Sequence, residues 1–173
     1  MDAREAVILI GHGGVPSDCP KPMVGELKAL ESARMAKEIA TMSPREAELD
    51  AKVRHWPRTP QTDPYKSGLE RIVGILAERI APKRLVVAYN EFCHPSLPDA
   101  VAQLAREGIE RVILLTTMLT PGGSHAEFEI PRLVSELRQR YPQMVVEYAW
   151  PYDLSQVADF FASHIDRVKS KTA

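Results

Sequence analysis

The feature that most constrains the fold is the alternation of short apolar runs with helix-like patterns along the chain. Each run ends in a glycine, proline or polar loop, and apolar residues at helical spacing follow. The runs are Ala6–Ile10, Leu85–Tyr89, Val112–Leu115 and Met144–Ala149. Because strands that alternate with helices pair in parallel, the sequence predicts an α/β fold, a three-layer sandwich with a four-stranded parallel sheet.

Helix boundaries are marked by capping residues and prolines. Ser43–Glu46 has the form of a capping box, and Asp63-Pro64 and Ser96–Asp99 also predict helix starts. The first helical stripe is expected to end near Thr41. Residues 50–62, which contain two prolines, are predicted to be irregular.

The amino-acid composition is that of an ordinary globular protein and says little about function. A chain of 173 residues with 45% apolar and 26% charged residues is expected to be one soluble domain, 1–173, with a helical or irregular insertion around 43–62. The net charge of −1 gives no reason to expect nucleic acid as a partner. Neither a signal peptide nor a membrane span is visible, so we expect a cytoplasmic protein with no membrane partner, whose isolated Cys19 and Cys93 are reduced.

Polar side chains follow the first three predicted strands. The carboxyl ends of parallel strands share one edge of the sheet, where ligands bind in open α/β folds. The third strand ends in Pro121-Gly122-Gly123, and a helix with Pro131 in its first turn is predicted to follow. The residues concerned are His12 after the first strand, Glu91 and His94 after the second, and His125, Glu127 and Glu129 after the third.

Two imidazoles and a carboxylate at one edge suit a borderline divalent ion such as iron(II), cobalt(II) or nickel(II). Imidazoles also accept protons near neutral pH. Two other interpretations stay open. The glycines around His12 could bind a phosphate, although they lack the Lys-Ser/Thr of a Walker loop, and Cys93 could be a nucleophile next to His94.

These motifs resemble the sirohydrochlorin chelatases, the CbiX-like class II tetrapyrrole chelatases, in their short single-copy form. The resemblance is carried by Ile10–Gly14, by Glu91 followed by Pro95-Ser96, and by Leu119–His125 running into Ile130-Pro131. It implies insertion of cobalt or iron into sirohydrochlorin or a related tetrapyrrole, in cobalamin or sirohaem biosynthesis, with no cofactor besides the substrate metal (Co²⁺ or Fe²⁺, with Ni²⁺ also possible). It further implies that His12 and His125 bind metal and accept pyrrole protons, with Glu91 as their acidic partner.

The chain departs from the family pattern at Gly14, His94 and Glu129, where Ser, an acid and Asp are usual. These changes favour the alternative of a non-catalytic metal or tetrapyrrole carrier on the same fold. Short members of the family pair, so we expect a homodimer. The expected substrate-binding residues near the site are Gly13, Gly14, His94, Gly122, Gly123 and Ser124.

The segment from Lys52 to Arg58 combines cations with Trp56. Sirohydrochlorin carries eight carboxylates around a flat apolar ring, so we expect Arg54 and Arg58 to bind its rim and the segment to fold over the site as a lid. The alternative is that this basic segment is ordinary solvated surface.

Overall fold

The computed structural model describes residues 4–39 and 41–172. These residues form strands and helices that alternate around a parallel sheet. In chain order the elements are β1 (Glu5–Gly11), α1 (Lys21–Ala36), α2 (Pro44–Arg54), α3 (Pro64–Ile80), β2 (Arg84–Tyr89), α4 (Leu97–Arg106), β3 (Arg111–Thr116), a π-helical turn (His125–Glu129), α5 (Ile130–Arg140), β4 (Val145–Tyr148) and α6 (Leu154–Thr172).

The sheet has the strand order β2-β1-β3-β4, and all its pairings are parallel. The central strand β1 pairs on both sides, and almost all of it is buried, as its unbroken apolar run predicts. Helices α4 and α5 cover one face, where Leu104 and Val134 pack with Ile8. Helix α3 covers the other face through Leu69, which packs on Leu9. The predicted three-layer sandwich with a four-stranded parallel sheet is confirmed.

Helices α1 and α2, which follow β1 and precede α3 in the chain, form a smaller apolar cluster. Leu27 of α1 packs with Leu49 and Val53 of α2. The start of α2 is as predicted, since the Ser43 hydroxyl accepts a hydrogen bond from the backbone of Glu46. The prediction of irregular structure from residue 50 was wrong, because burial of Val53 extends α2 to Arg54.

Two other helix boundaries differ from the prediction. Helix α1 ends at Ala36 rather than near Thr41, and the left-handed φ of +52° at Glu38 turns the chain away from the helix. The helix around Pro131 begins earlier than expected, because a π-helical turn from His125 to Glu129 leads directly into α5. His125 is therefore the first residue of a helical turn and not part of a loop.

The last helix, α6, has several exposed apolar side chains. Leu154, Phe160, Phe161 and Ile165 all have more than half of their surface exposed. Among the described residues, no helix has the length and apolar character that crossing a membrane would require.

Candidate active site

The carboxyl edge of the sheet brings together His12, Glu91 and His125. His12 directly follows β1, and Glu91 lies two residues beyond β2. The backbone N–H of Glu91 donates to the carbonyl of His12 at 2.8 Å, so the parallel pairing of the two strands continues into their loops. One nitrogen or oxygen atom from each of the three side chains lies within 4.8 Å of the others.

The carboxylate of Glu91 lies between the two imidazole rings. Its Oε2 is 3.9 Å from His12 Nε2, and its Oε1 is 3.8 Å from His125 Nε2. These separations are too long for hydrogen bonds. Ligand atoms that bond one ion at about 2.1 Å lie within about 4.2 Å of one another, so a small closure of the site would accommodate a divalent ion.

The partners of the two Nδ1 atoms define the tautomers. His12 Nδ1 lies 2.8 Å from the carbonyl oxygen of Gly13, which can only accept a hydrogen bond. His125 Nδ1 lies 2.9 Å from a carboxylate oxygen of Glu129, which accepts in the same way. The Asn90 amide nitrogen also lies 3.0 Å from His125 Nδ1, but a carboxylate can only accept a hydrogen bond from the ring. We therefore assign the proton of each neutral ring to Nδ1, which leaves the lone pair of Nε2 towards Glu91.

Asn90 and Glu129 hold His125 in place. The Asn90 amide nitrogen donates to Glu129 Oε2 at 3.0 Å, while the other oxygen of this carboxylate bonds the ring. Burial raises the pKa of Glu129, but hydrogen bonds from Asn90 and His125 outweigh it and leave this pKa below its usual value. Glu129 is thus an ionised partner for the imidazole. The sequence offers only one indication of this, the spacing of four residues from His125, which places both side chains on one helix face.

The glycines near the site shape its loops. Gly13 has a φ of +93°, and a Cβ atom there would lie 1.9 Å from the carbonyl oxygen of Glu91. Gly122 has a φ of +87°, and its N–H donates to Glu127 at 3.2 Å. The Gly123 carbonyl accepts from Glu127 N at 3.0 Å, and Ser124, which makes no side-chain capping bond, directly precedes His125.

His94 does not join the three side chains. Its ring packs against that of His55 with centroids 4.4 Å apart, and its Nδ1 lies 3.4 Å from Asp99. Cys93 is fully buried, and burial raises the pKa of its thiol. This environment disfavours a thiolate and argues against the nucleophilic role considered for Cys93.

The structure places Arg54 and Arg58, expected to bind the substrate rim, in contacts within the protein. Arg58 donates to the carbonyls of Gly14 and Phe92 and pairs with Asp63, and only 8% of its side chain is exposed. Arg54 pairs with Asp50 and donates to the carbonyls of Asn90 and Cys93. Both guanidinium groups therefore bond to backbone carbonyls and carboxylates of the protein, and Arg58 in particular lies beneath the loops and not over them.

A cavity of about 280 Å³ lies next to Glu91. Helices α1 and α2 form one wall, and the residues around Asn90 and Glu129 form the other. Its three arginines, Arg34, Arg54 and Arg132, are paired with Glu46, Asp50 and Glu136 respectively. Glu91 is one of the residues that line this cavity.

The sequence model of the CbiX family matches residues 61–168. The matched stretch contains Glu91 and His125. His12 lies before it and reaches the site because β1 pairs with both β2 and β3. A comparison with curated proteins gave no match.

Several solved structures are similar to this chain. A protein described as a cobalamin (vitamin B12) biosynthesis CbiX protein from Marinobacter aquaeolei VT8 is 14% identical, with a TM-score of 0.57 and 98% of each chain covered. SirB from Bacillus subtilis with Fe³⁺ is 14% identical, with a TM-score of 0.49 and coverage of 84% of this chain and 39% of SirB. The sirohydrochlorin chelatase SirB from Bacillus subtilis subspecies spizizenii in complex with cobalt is 15% identical, with a TM-score of 0.43 and coverage of 86% and 43%. The chain thus spans less than half of either SirB chain, while the first likeness agrees with the fold described above.

Proposed function

The chain belongs to the CbiX family, and from this membership and the His12–Glu91–His125 site we propose that it inserts a divalent metal ion into sirohydrochlorin or a closely related tetrapyrrole. We further propose that the ion is cobalt(II) or iron(II), with nickel(II) as another chemically suitable ion, because imidazole and carboxylate ligands suit these ions. The reaction would belong to cobalamin or sirohaem biosynthesis.

One observation carries the proposal: both Nε2 atoms face the same carboxylate without a hydrogen bond to it. An ion bound there would have three protein ligands and open positions for the incoming ring nitrogens. A site closed by further protein ligands would retain the metal instead of releasing it into a macrocycle.

The same side chains can remove protons. Two pyrrole N–H protons must leave as the metal enters the ring, and a neutral imidazole is a suitable acceptor. As the ion moves to the macrocycle, each Nε2 lone pair becomes free to take a proton. Glu91 lies between the two rings and stabilises the imidazolium that forms.

The proposal is tested by mixing the purified protein with sirohydrochlorin and Co²⁺ or Fe²⁺ and following the change in tetrapyrrole absorbance. We expect a rate well above the spontaneous insertion rate and proportional to protein concentration. A rate equal to the spontaneous one with both metals would contradict the proposed activity.

A further inference from the structure

The connection between α2 and α3 contains a buried arginine that the proposed chemistry does not use. Arg58 lies outside any helix or strand, yet its side chain is only 8% exposed. Its ion-pair partner Asp63, at 3% exposed, is also the N-cap of α3, where it accepts from the backbone of Lys66 at 2.9 Å. The pair therefore joins this connection to the start of a core helix.

Arg58 connects the two loops that carry His12 and Glu91. It donates to the carbonyl of Gly14, two residues after His12, at 2.8 Å, and to the carbonyl of Phe92, which follows Glu91. A further bond of 3.1 Å reaches the carbonyl of Val53 near the end of α2. Four of its five N–H groups are thus engaged, and the remaining one, on Nε, is buried without a partner among the described residues.

The backbone at Phe92 is strained where Arg58 binds it. Its φ is +54°, an uncommon value for a bulky residue with a Cβ atom. Such a conformation persists only where the surroundings impose it, and these outliers cluster at functional sites. Since Phe92 is bonded to Glu91 through the backbone, relaxation of its φ would move the carboxylate that lies between the two imidazoles.

We propose that Arg58 and Asp63 are positioning residues that clamp the His12 loop to the Glu91 loop and so preorganise the metal-binding side chains. The inference rests on the proposed function for its consequence, while the clamp itself rests on the contacts of Arg58. Arg58 thus serves the site from within the protein, by holding its loops together.

The test uses two variants that remove the clamp to different degrees. In the double variant Arg58→Met/Asp63→Asn no buried charge is left unpaired, and the asparagine can still cap α3. In Arg58→Lys the charge is kept, but a single ammonium group cannot reproduce the planar fork that reaches both carbonyls. Arg138→Met is the matched control, because Arg138 also donates to a backbone carbonyl, that of Val146, near the opposite end of the sheet.

Three quantities are compared with those of the unaltered protein: the Kd for Co²⁺, hydrogen exchange in peptides covering residues 11–15 and 89–94, and the melting temperature. We expect the double variant to raise the Kd roughly 10- to 100-fold, as losing support behind metal ligands commonly does. Exchange in both peptides should accelerate. The Kd and the loop exchange of Arg58→Lys should lie between those of the unaltered protein and the double variant. The control Arg138→Met should keep the Kd and the loop exchange of the unaltered protein.

The clamp is overturned if the double variant melts at a lower temperature but keeps the Kd and the loop exchange of the control, since Arg58 would then only stabilise the fold. A raised KM for the tetrapyrrole with an unchanged Kd for Co²⁺ would also overturn it, in favour of direct substrate binding. If the unaltered protein binds no Co²⁺, the proposed function fails, whereas the exchange of the two peptides still decides whether Arg58 holds the loops.

Discussion

His12 and His125 present their Nε2 atoms to one carboxylate, so we expect them to act as a unit. Each single substitution by alanine should nearly abolish metal insertion, and the double substitution should be little worse, because either loss already breaks the site. Both rings are partly exposed, at 42% and 24%, so the melting temperature should change little. Steady-state rates and thermal unfolding of the three variants check this. Normal turnover in either single variant would remove that histidine from the mechanism.

Glu129 acts on His125 through the Nδ1 atom. Replacing it by glutamine keeps an acceptor oxygen that can hold the ring, whereas alanine removes the acceptor and frees the ring to rotate. We expect the Kd for Co²⁺ to rise roughly 10- to 100-fold in Glu129→Ala and less in Glu129→Gln. Glu136→Gln on the exposed face of α5 is the control. Equal affinity in Glu129→Ala and the unaltered protein would show that the carboxylate does not position the ring.

At the scale of loops and strands, Gly13 lies against the backbone of the Glu91 loop, where a Cβ atom would be 1.9 Å from the Glu91 carbonyl oxygen. Gly13→Ala would create both backbone strain and a clash with the Glu91 carbonyl, so stability and Co²⁺ binding should both fall. Gly108→Ala is the matched control, because Gly108 has a φ of +80° but nothing within 4 Å of an added Cβ. The control should lose only the strain, about 1–2 kcal/mol, with unchanged metal binding. Denaturant unfolding and Co²⁺ titration measure both effects, and equal losses in the two variants would contradict the account.

The sequence predicts the elements well where local pattern and burial agree. The unbroken apolar run of β1 is a strand buried on both faces, and topology alone places His12, Glu91 and His125 at one edge of the sheet. The end of α2 was not predicted, because the second half of this helix has only two buried apolar residues, Leu49 and Val53, among polar ones.

The roles of single side chains were harder to predict. A basic residue among prolines usually lies in solvent, and Arg58 is buried only because carbonyls distant in sequence accept its hydrogen bonds. The contact between Asn90 and Glu129 likewise joins residues distant in sequence, and the π-helical turn that contains Glu129 was not predicted.

At the scale of the whole molecule, α6 carries exposed apolar side chains. We propose that the chain is a homodimer and that the exposed face of α6 with Phe160 and Phe161 contributes to the contact. An apolar hollow of about 310 Å³ between Leu119 and Phe160 offers a place for side chains of a second copy. A stable interface buries about 1,200–2,000 Å² of surface, and aspartates in its apolar part would oppose that burial. Replacing both phenylalanines by aspartate should therefore give a folded monomer by light scattering. A monomeric mass for the unaltered protein at micromolar concentration, with activity retained, would contradict the proposal.

The central claim is that the protein turns over as a chelatase rather than holding metal or tetrapyrrole as a carrier. The most direct measurement is the number of metallated tetrapyrrole molecules formed per chain when sirohydrochlorin and Co²⁺ or Fe²⁺ are in large excess, corrected for spontaneous insertion. We expect many products per chain with the unaltered protein and almost none with the His12→Ala/His125→Ala variant. Formation that stops at one equivalent per chain, or that proceeds equally in the double variant, would contradict it.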